Sequence, residues 1–222
     1  MEQFKSTNKE IRKRLLTSIL LILGYLLIFY SNFILLYSLI IIGIFSLFEF
    51  QNIMKKIFKN LTLKILFNTL FLLYIFFYST VLFISSFSQI PNLLMFFCIL
   101  ICIASDIGGL IFGKIFKGPK LTRISPNKTI SGSFGSIIFS ILIGLIVNYF
   151  TLNIPINKII FLSFMISLGT QLGDLFFSFL KRKAKIKDTG NILPGHGGIL
   201  DRIDGILLGL PFGIISIILI FY

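Results

Sequence analysis

The sequence predicts an all-α, polytopic integral membrane protein of about seven transmembrane helices, on three observations. Its 222 residues are 56% hydrophobic and include 27 Phe, with a mean hydropathy of +0.98. That is more apolar surface than a water-soluble fold hides. The apolar residues also fall in runs of about 20, the length that crosses a ~30 Å hydrocarbon core at 1.5 Å per residue. The charges, finally, stand between the runs and favour one side of them.

Taken in order, the runs place helices near residues 15–30, 33–50, 62–84, 92–112, 132–150, 156–180 and 203–221. Residues 15–48 carry no charge and would extend about 51 Å as one helix, so they are split at Tyr30-Ser31-Asn32 into a hairpin. The basic opening MEQFKSTNKEIRKR precedes a run with no small-residue cleavage site, which reads as a retained anchor rather than a removed signal peptide. With seven spans, residues 1–14, 51–61, 113–131 and 181–202 share one side of the membrane. All of the 21 Lys and Arg except Lys158 lie on or beside that side. By the positive-inside rule the N-terminus is cytoplasmic. The net charge of +13 therefore reflects topology and attraction to anionic lipid and phosphate, not a nucleic-acid partner. Cys98 and Cys102, i and i+4 within an apolar run, read as small core residues without a metal or a disulfide.

The acids show where chemistry gathers. Five of the eight, Asp106, Asp174, Asp188, Asp201 and Asp204, occur in the second half. Asp106 and Asp174 precede Lys114 and Lys181 by eight and seven residues, about 10–12 Å of helix, so both carboxylates sit at membrane depth. Such a carboxylate costs a few kcal/mol unless paired and marks a functional site by default. Asp201 and Asp204 share a helix face at i, i+3. If Asp174 packs beside them, three carboxylates in low dielectric call for a cation, and hard oxygen donors without cysteine point to Mg²⁺. Around these acids runs a basic rim: Lys181, Arg182, Lys183, Lys185 and Lys187 on one stretch, Lys114, Lys117, Lys120, Arg123 and Lys128 on another. The second stretch is interleaved with Ser125, Pro126, Thr129, Gly132 and Gly135, the hydroxyl and glycine chemistry of a phosphate-binding loop. A magnesium-dependent enzyme joining a nucleotide to a phosphorylated lipid fits these features. The expected organisation is a single integral membrane domain, with anchoring helices over 1–91 and a catalytic region over 92–222.

Ser178-Phe179-Leu180-Lys181-Arg182, Lys187-Asp188-Thr189-Gly190 and Leu193-Pro194-Gly195-His196-Gly197-Gly198-Ile199-Leu200-Asp201-Arg202-Ile203-Asp204 resemble the C-terminal signature of the phosphatidate cytidylyltransferases. About a dozen positions match in order and spacing. The stretch SDIGGLIFGKIFKGPKLTRISPNKTISGSFGS (105–136) is similar to the family's upstream block. Phe177 and Ser131 stand where the family often has Glu. The resemblance implies transfer of CMP from CTP to phosphatidate, giving CDP-diacylglycerol and pyrophosphate, at the cytoplasmic face of a bacterial inner membrane. It implies Mg²⁺ on Asp174, Asp201 and Asp204, and phosphates held by Lys181, Arg182, Lys187 and His196. Ser125, Lys128 and Thr129 assist on the substrate side, as do Gly197, Gly198 and Arg202, while Asp106 and Asp188 orient lysines or assist a second cation. The sequence allows a second, monovalent cation and a homodimer. Two other readings compete: a CTP-dependent polyprenol kinase, and a cation or solute transporter, which the absence of an internal repeat disfavours.

Overall fold

The computed structural model describes Leu23, Leu27 and residues 31–87, 89–122, 125, 128–151, 153–192 and 197–221. Six helices account for most of them: α1 (Asn32–Ile57), α2 (Leu61–Ser85), α3 (Gln89–Phe116), α4 (Ile130–Phe150), α5 (Ile156–Lys183) and α6 (Leu200–Phe221). All six are long and apolar enough to cross a membrane, and the described residues form no strand, only isolated bridge positions such as the pair Lys120 and Thr129. The chain is an all-α integral membrane protein. The expected first helix, residues 15–30, lies outside the described residues apart from Leu23 and Leu27, as does the N-terminal flank assigned to the cytoplasm.

The helices overrun their hydropathy limits for local reasons. α1 continues past residue 50 to place Lys55 and Lys56 in its last turn, where cations complement the carbonyl end of the helix dipole. Two starts are capped by the residue just before the helix: Asn60 accepts from the Thr62 amide at 3.0 Å, and Thr129 accepts from the Gly132 amide at 3.1 Å. A cap oxygen satisfies one of the free N–H groups at a helix start, which moves the beginning of α4 from 132 to 130.

The chain divides into two compact units, Met1–Gln89 with Lys181–Arg202, and Ile90–Leu180 with Ile203–Tyr222. In the first, α1 and α2 pair through stacked rings, Phe50 on Phe71 at 3.9 Å and Phe58 on Phe67 at 5.0 Å between centroids. Ile53, Met54, Ala184 and Leu200 are buried with them. Phe33, Phe48, Phe76 and Phe77 stay exposed, as lipid-facing side chains do.

The second unit packs α3, α4, α5 and the body of α6. Phe97, Ile101, Ile159, Leu162, Ile166, Leu207 and Leu210 are fully buried there, with the free thiols Cys98 and Cys102 in the core role the sequence suggested. Lipid tails are as apolar as these side chains, so close backbone approach and interhelical hydrogen bonds do much of the association. A Cβ added to Gly132 would stand 2.9 Å from the Gly109 carbonyl oxygen, and one on Gly173 would stand 2.5 Å from that of Asp204. The hydroxyls of Ser105 and Ser167 meet at 2.9 Å in the interior. Where α6 ends, the Lys158 ammonium donates to the Ile220 carbonyl at 3.0 Å, a cation on a helix C-terminus.

Candidate active site

In the second unit a cavity of about 420 Å³ is bordered by α3, α4, α5 and the turn before α4. Its polar lining includes Asp106, Lys114, Lys128, Ser133, Gln171 and Asp174. The turn is built by backbone pairing: the Leu121 amide donates to the Lys128 carbonyl at 2.8 Å, and the Ile130 amide to that of Pro119 at 2.9 Å. This pairing turns Lys128 toward α5, where its ammonium forms an ion pair with the Asp174 carboxylate. Both partners keep some solvent access, 25% and 31% of their side chains, so the pair is open to a third group. One turn away on α5, the Gln171 amide nitrogen donates to the Ser133 carbonyl at 3.3 Å, while the Ser133 hydroxyl donates to the Gln171 oxygen. Two lysines, two carboxylates and these neutral dipoles line one space that is also apolar along Leu110, Leu121 and Leu175. Such a space suits a ligand with an anionic head and a greasy part.

In the first unit the signature segment is held by carboxylates. Asp201, in the first turn of α6, accepts from the Lys181 ammonium at 2.7 Å on one oxygen. Its other oxygen takes the Thr189 amide at 2.8 Å and the Gly198 amide at 3.1 Å, and lies 3.0 Å from the Thr189 hydroxyl. The pair with Lys181 is well buried, with side chains 13% and 6% exposed. A second carboxylate arrives from α1. Glu49, 3% exposed, accepts from the Thr189 hydroxyl at 2.6 Å, the Ile199 amide at 3.0 Å and the Leu200 amide at 2.9 Å. Two positions in the loop need glycine. Gly197 has φ +81, and a Cβ on Gly198 would run into the Thr189 hydroxyl and the Glu49 carboxylate.

The residues singled out from the sequence are distributed over these two places. Asp106, Lys128, Thr129 and Asp174 line the cavity, with Thr129 also capping α4. Ser125 accepts from the Lys128 amide through its carbonyl at 3.1 Å, shaping the turn. Asp204 is buried in the second unit and accepts from the Gly205 amide at 2.9 Å. Lys181, Gly197, Gly198 and Asp201 belong to the signature network of the first unit. There Lys187 and Asp188 are exposed, as are Arg182, whose guanidinium approaches the Ile186 carbonyl at 3.5 Å, and Arg202. His196, Arg123 and Pro126 lie outside the described residues. The sequence alone assigns no role to Glu49, Thr189, Gln171 or Ser133. For Glu49 a signal existed: it is the single charge in residues 15–54, and an ionisable side chain within a membrane span is functional by default.

Carboxylate, hydroxyl and amide oxygens are the hard donors that Mg²⁺ takes, so the donor chemistry of the cavity suits that ion. Among the described residues, no group of three or more His, Cys, Asp and Glu side chains forms a metal-holding cluster.

A family model described as the cytidylyltransferase family matches residues 1–220. Among curated proteins, the phosphatidate cytidylyltransferase of Helicobacter pylori is 41% identical over 111 residues, 50% of this chain and 42% of that protein. That of Staphylococcus epidermidis is 45% identical over 126 residues, 56% of this chain and 48% of its own. For the Rickettsia prowazekii protein the identity is 43% over 127 residues, covering 54% and 55%. The chain spans about half the length of the curated relatives it matches.

Proposed function

The chain belongs to the cytidylyltransferase family, and from that premise we propose that it transfers CMP from CTP to phosphatidate, releasing pyrophosphate and leaving CDP-diacylglycerol in the membrane. The observation that carries this reading is the Lys128–Asp174 ion pair in a cavity that joins charged groups to apolar walls. The names of the similar curated proteins support the choice of substrates.

In the reaction a phosphate oxygen of phosphatidate attacks the α-phosphorus of CTP. A P–O bond forms there as the bond to the bridging oxygen of pyrophosphate breaks. A phosphate monoester is largely ionised near pH 7, with a second pKa of about 6, so no strong base is needed. The difficulty is repulsion between two polyanions and charge building on the leaving group. Lys114 and Lys128 answer it in the cavity, and Arg182, Lys187 and His196 in the signature segment. Asp174 and Asp106 keep the cavity lysines oriented and the neighbourhood close to neutral until substrate enters. Mg²⁺ would be held by Asp174 and Asp204 of the second unit and, with a monovalent cation, would supply further neutralisation of phosphate charge. In this reading residues 92–222 carry the reacting groups, the site opens to the cytoplasmic leaflet of a bacterial inner membrane, and phosphatidate reaches it from that leaflet.

Purified protein in detergent, given labelled CTP, phosphatidate and Mg²⁺, yields CDP-diacylglycerol and pyrophosphate on this account. Offering dCTP and ATP in parallel tests the base. Absence of product rejects the proposal, and release of CDP instead of pyrophosphate points to a lipid kinase.

A further inference from the structure

We propose that Glu49 is a positioning residue for the signature segment: a carboxylate from α1 that caps the start of α6 and thereby holds the loop carrying Lys187 and Asp188 in its working shape. The inference rests on the function proposed above for what that loop does, but not for how it is held.

The first N–H groups of any helix lack partners inside the helix. A Ser, Thr, Asp or Asn just before the helix commonly supplies one. The residue before α6 is Ile199, which has no side-chain oxygen. Its amide and that of Leu200 turn instead to Glu49, at 3.0 and 2.9 Å. The negative charge also faces the positive end of the α6 dipole. From the same carboxylate a third bond, at 2.6 Å, reaches the Thr189 hydroxyl, which lies 3.0 Å from Asp201 as well. Thr189 is therefore a bridge between two carboxylates, one from α1 and one from α6.

This arrangement specifies an acid. Three donors converge on Glu49, and a glutamine of the same shape would turn its NH₂ group against at least one of them. It also explains why nothing larger than glycine fits at 198, where a Cβ would meet both the Glu49 carboxylate and the Thr189 hydroxyl. Near the start of the segment the Lys183 ammonium lies 5.6 Å from the Phe58 ring centroid. Of these contacts, those of Glu49 reach the backbone.

The test combines turnover with hydrogen exchange of the full chain in detergent. In Glu49→Gln, amides of residues 197–200 exchange at least about tenfold faster while those of α1 and α2 stay within about twofold, the signature of local opening. The kcat falls about 10²-fold, the scale of a small misplacement of catalytic groups, while KM for CTP moves less than about threefold. Gly198→Ala, which presses on the same contact from the loop side, reproduces the exchange pattern without altering α1 and decides the matter if Glu49→Gln does not fold. Ser46→Ala, one turn away and bonded to its own helix at Ile42, leaves exchange in the loop at the wild-type rate. Unchanged exchange at 197–200 in Glu49→Gln overturns the proposal, as does an equal rise throughout α1 and α2. If the wild-type protein makes no CDP-diacylglycerol, the proposed function falls, and the exchange comparison still decides whether Glu49 holds the loop.

Discussion

The cavity of the second unit and the signature network of the first both contain an aspartate on a lysine, but the two pairs are differently surrounded. Asp174 and Lys128 meet beside open space, and both keep a quarter or more of their side-chain exposure. Asp201 and Lys181 are nearly enclosed, and the other oxygen of Asp201 is taken up by two amides, with a hydroxyl beside them. An open pair can exchange its partner for a phosphate or a cation at little cost. A closed one shapes the backbone around it, because each buried donor left without an acceptor costs about 1–3 kcal/mol. The same two residue types thus serve as a receptive site in one place and as a scaffold in the other.

The sharpest break of this comparison is a parallel Asn substitution. Asp174→Asn in the open pair and Asp201→Asn in the closed pair are each expected to lower turnover by about 10³-fold or more, with helical content unchanged by circular dichroism. They part in hydrogen exchange: Asp201→Asn loosens residues 189 and 197–200, whereas Asp174→Asn leaves them protected. An active Asp201→Asn enzyme removes the closed pair from what turnover requires. Chelation provides the next largest effect. On the proposed function EDTA is expected to abolish CDP-diacylglycerol formation and added Mg²⁺ to restore it, and activity that survives exhaustive chelation removes the ion from the mechanism.

Lys128→Ala is expected to lower kcat about 10²-fold, as loss of one charge-stabilising group does, and Lys128→Arg to lower it less. Thr189→Val preserves shape but removes the bridge between Glu49 and Asp201, for a tenfold loss of activity and about 1 kcal/mol of stability, read from detergent melting. Smallest is Lys158→Ala. Losing its bond to the Ile220 carbonyl lowers stability by about 0.3–1 kcal/mol, without a change in kcat.

Much of this architecture was legible in the residues. The five helices expected between residues 62 and 221 and the one from 33 all exist, because a run of about 20 apolar residues has few alternatives in lipid. Their ends were harder, since Lys55 and Lys56 belong to the last turn of α1 and hydropathy stops counting at such residues. The candidate acids and lysines were found by their rarity in a greasy chain. What could not be read was pairing at long range. That Lys128 meets Asp174, or that Glu49 reaches the amides of Ile199 and Leu200, depends on helix packing that no local pattern encodes. Glu49 was passed over because a single acid at the end of a hydropathy run looks like ordinary punctuation.

The bonds from Glu49 to Ile199 and Leu200 join positions 150 and 151 residues apart. Contacts of such separation form late, since closing the intervening chain must precede any return from it. During synthesis at the membrane, α1 through α5 have therefore emerged before the first turn of α6 exists to be tethered. A nascent chain is left with an unorganised loop until α6 is made, so the loop takes its shape only once that helix begins.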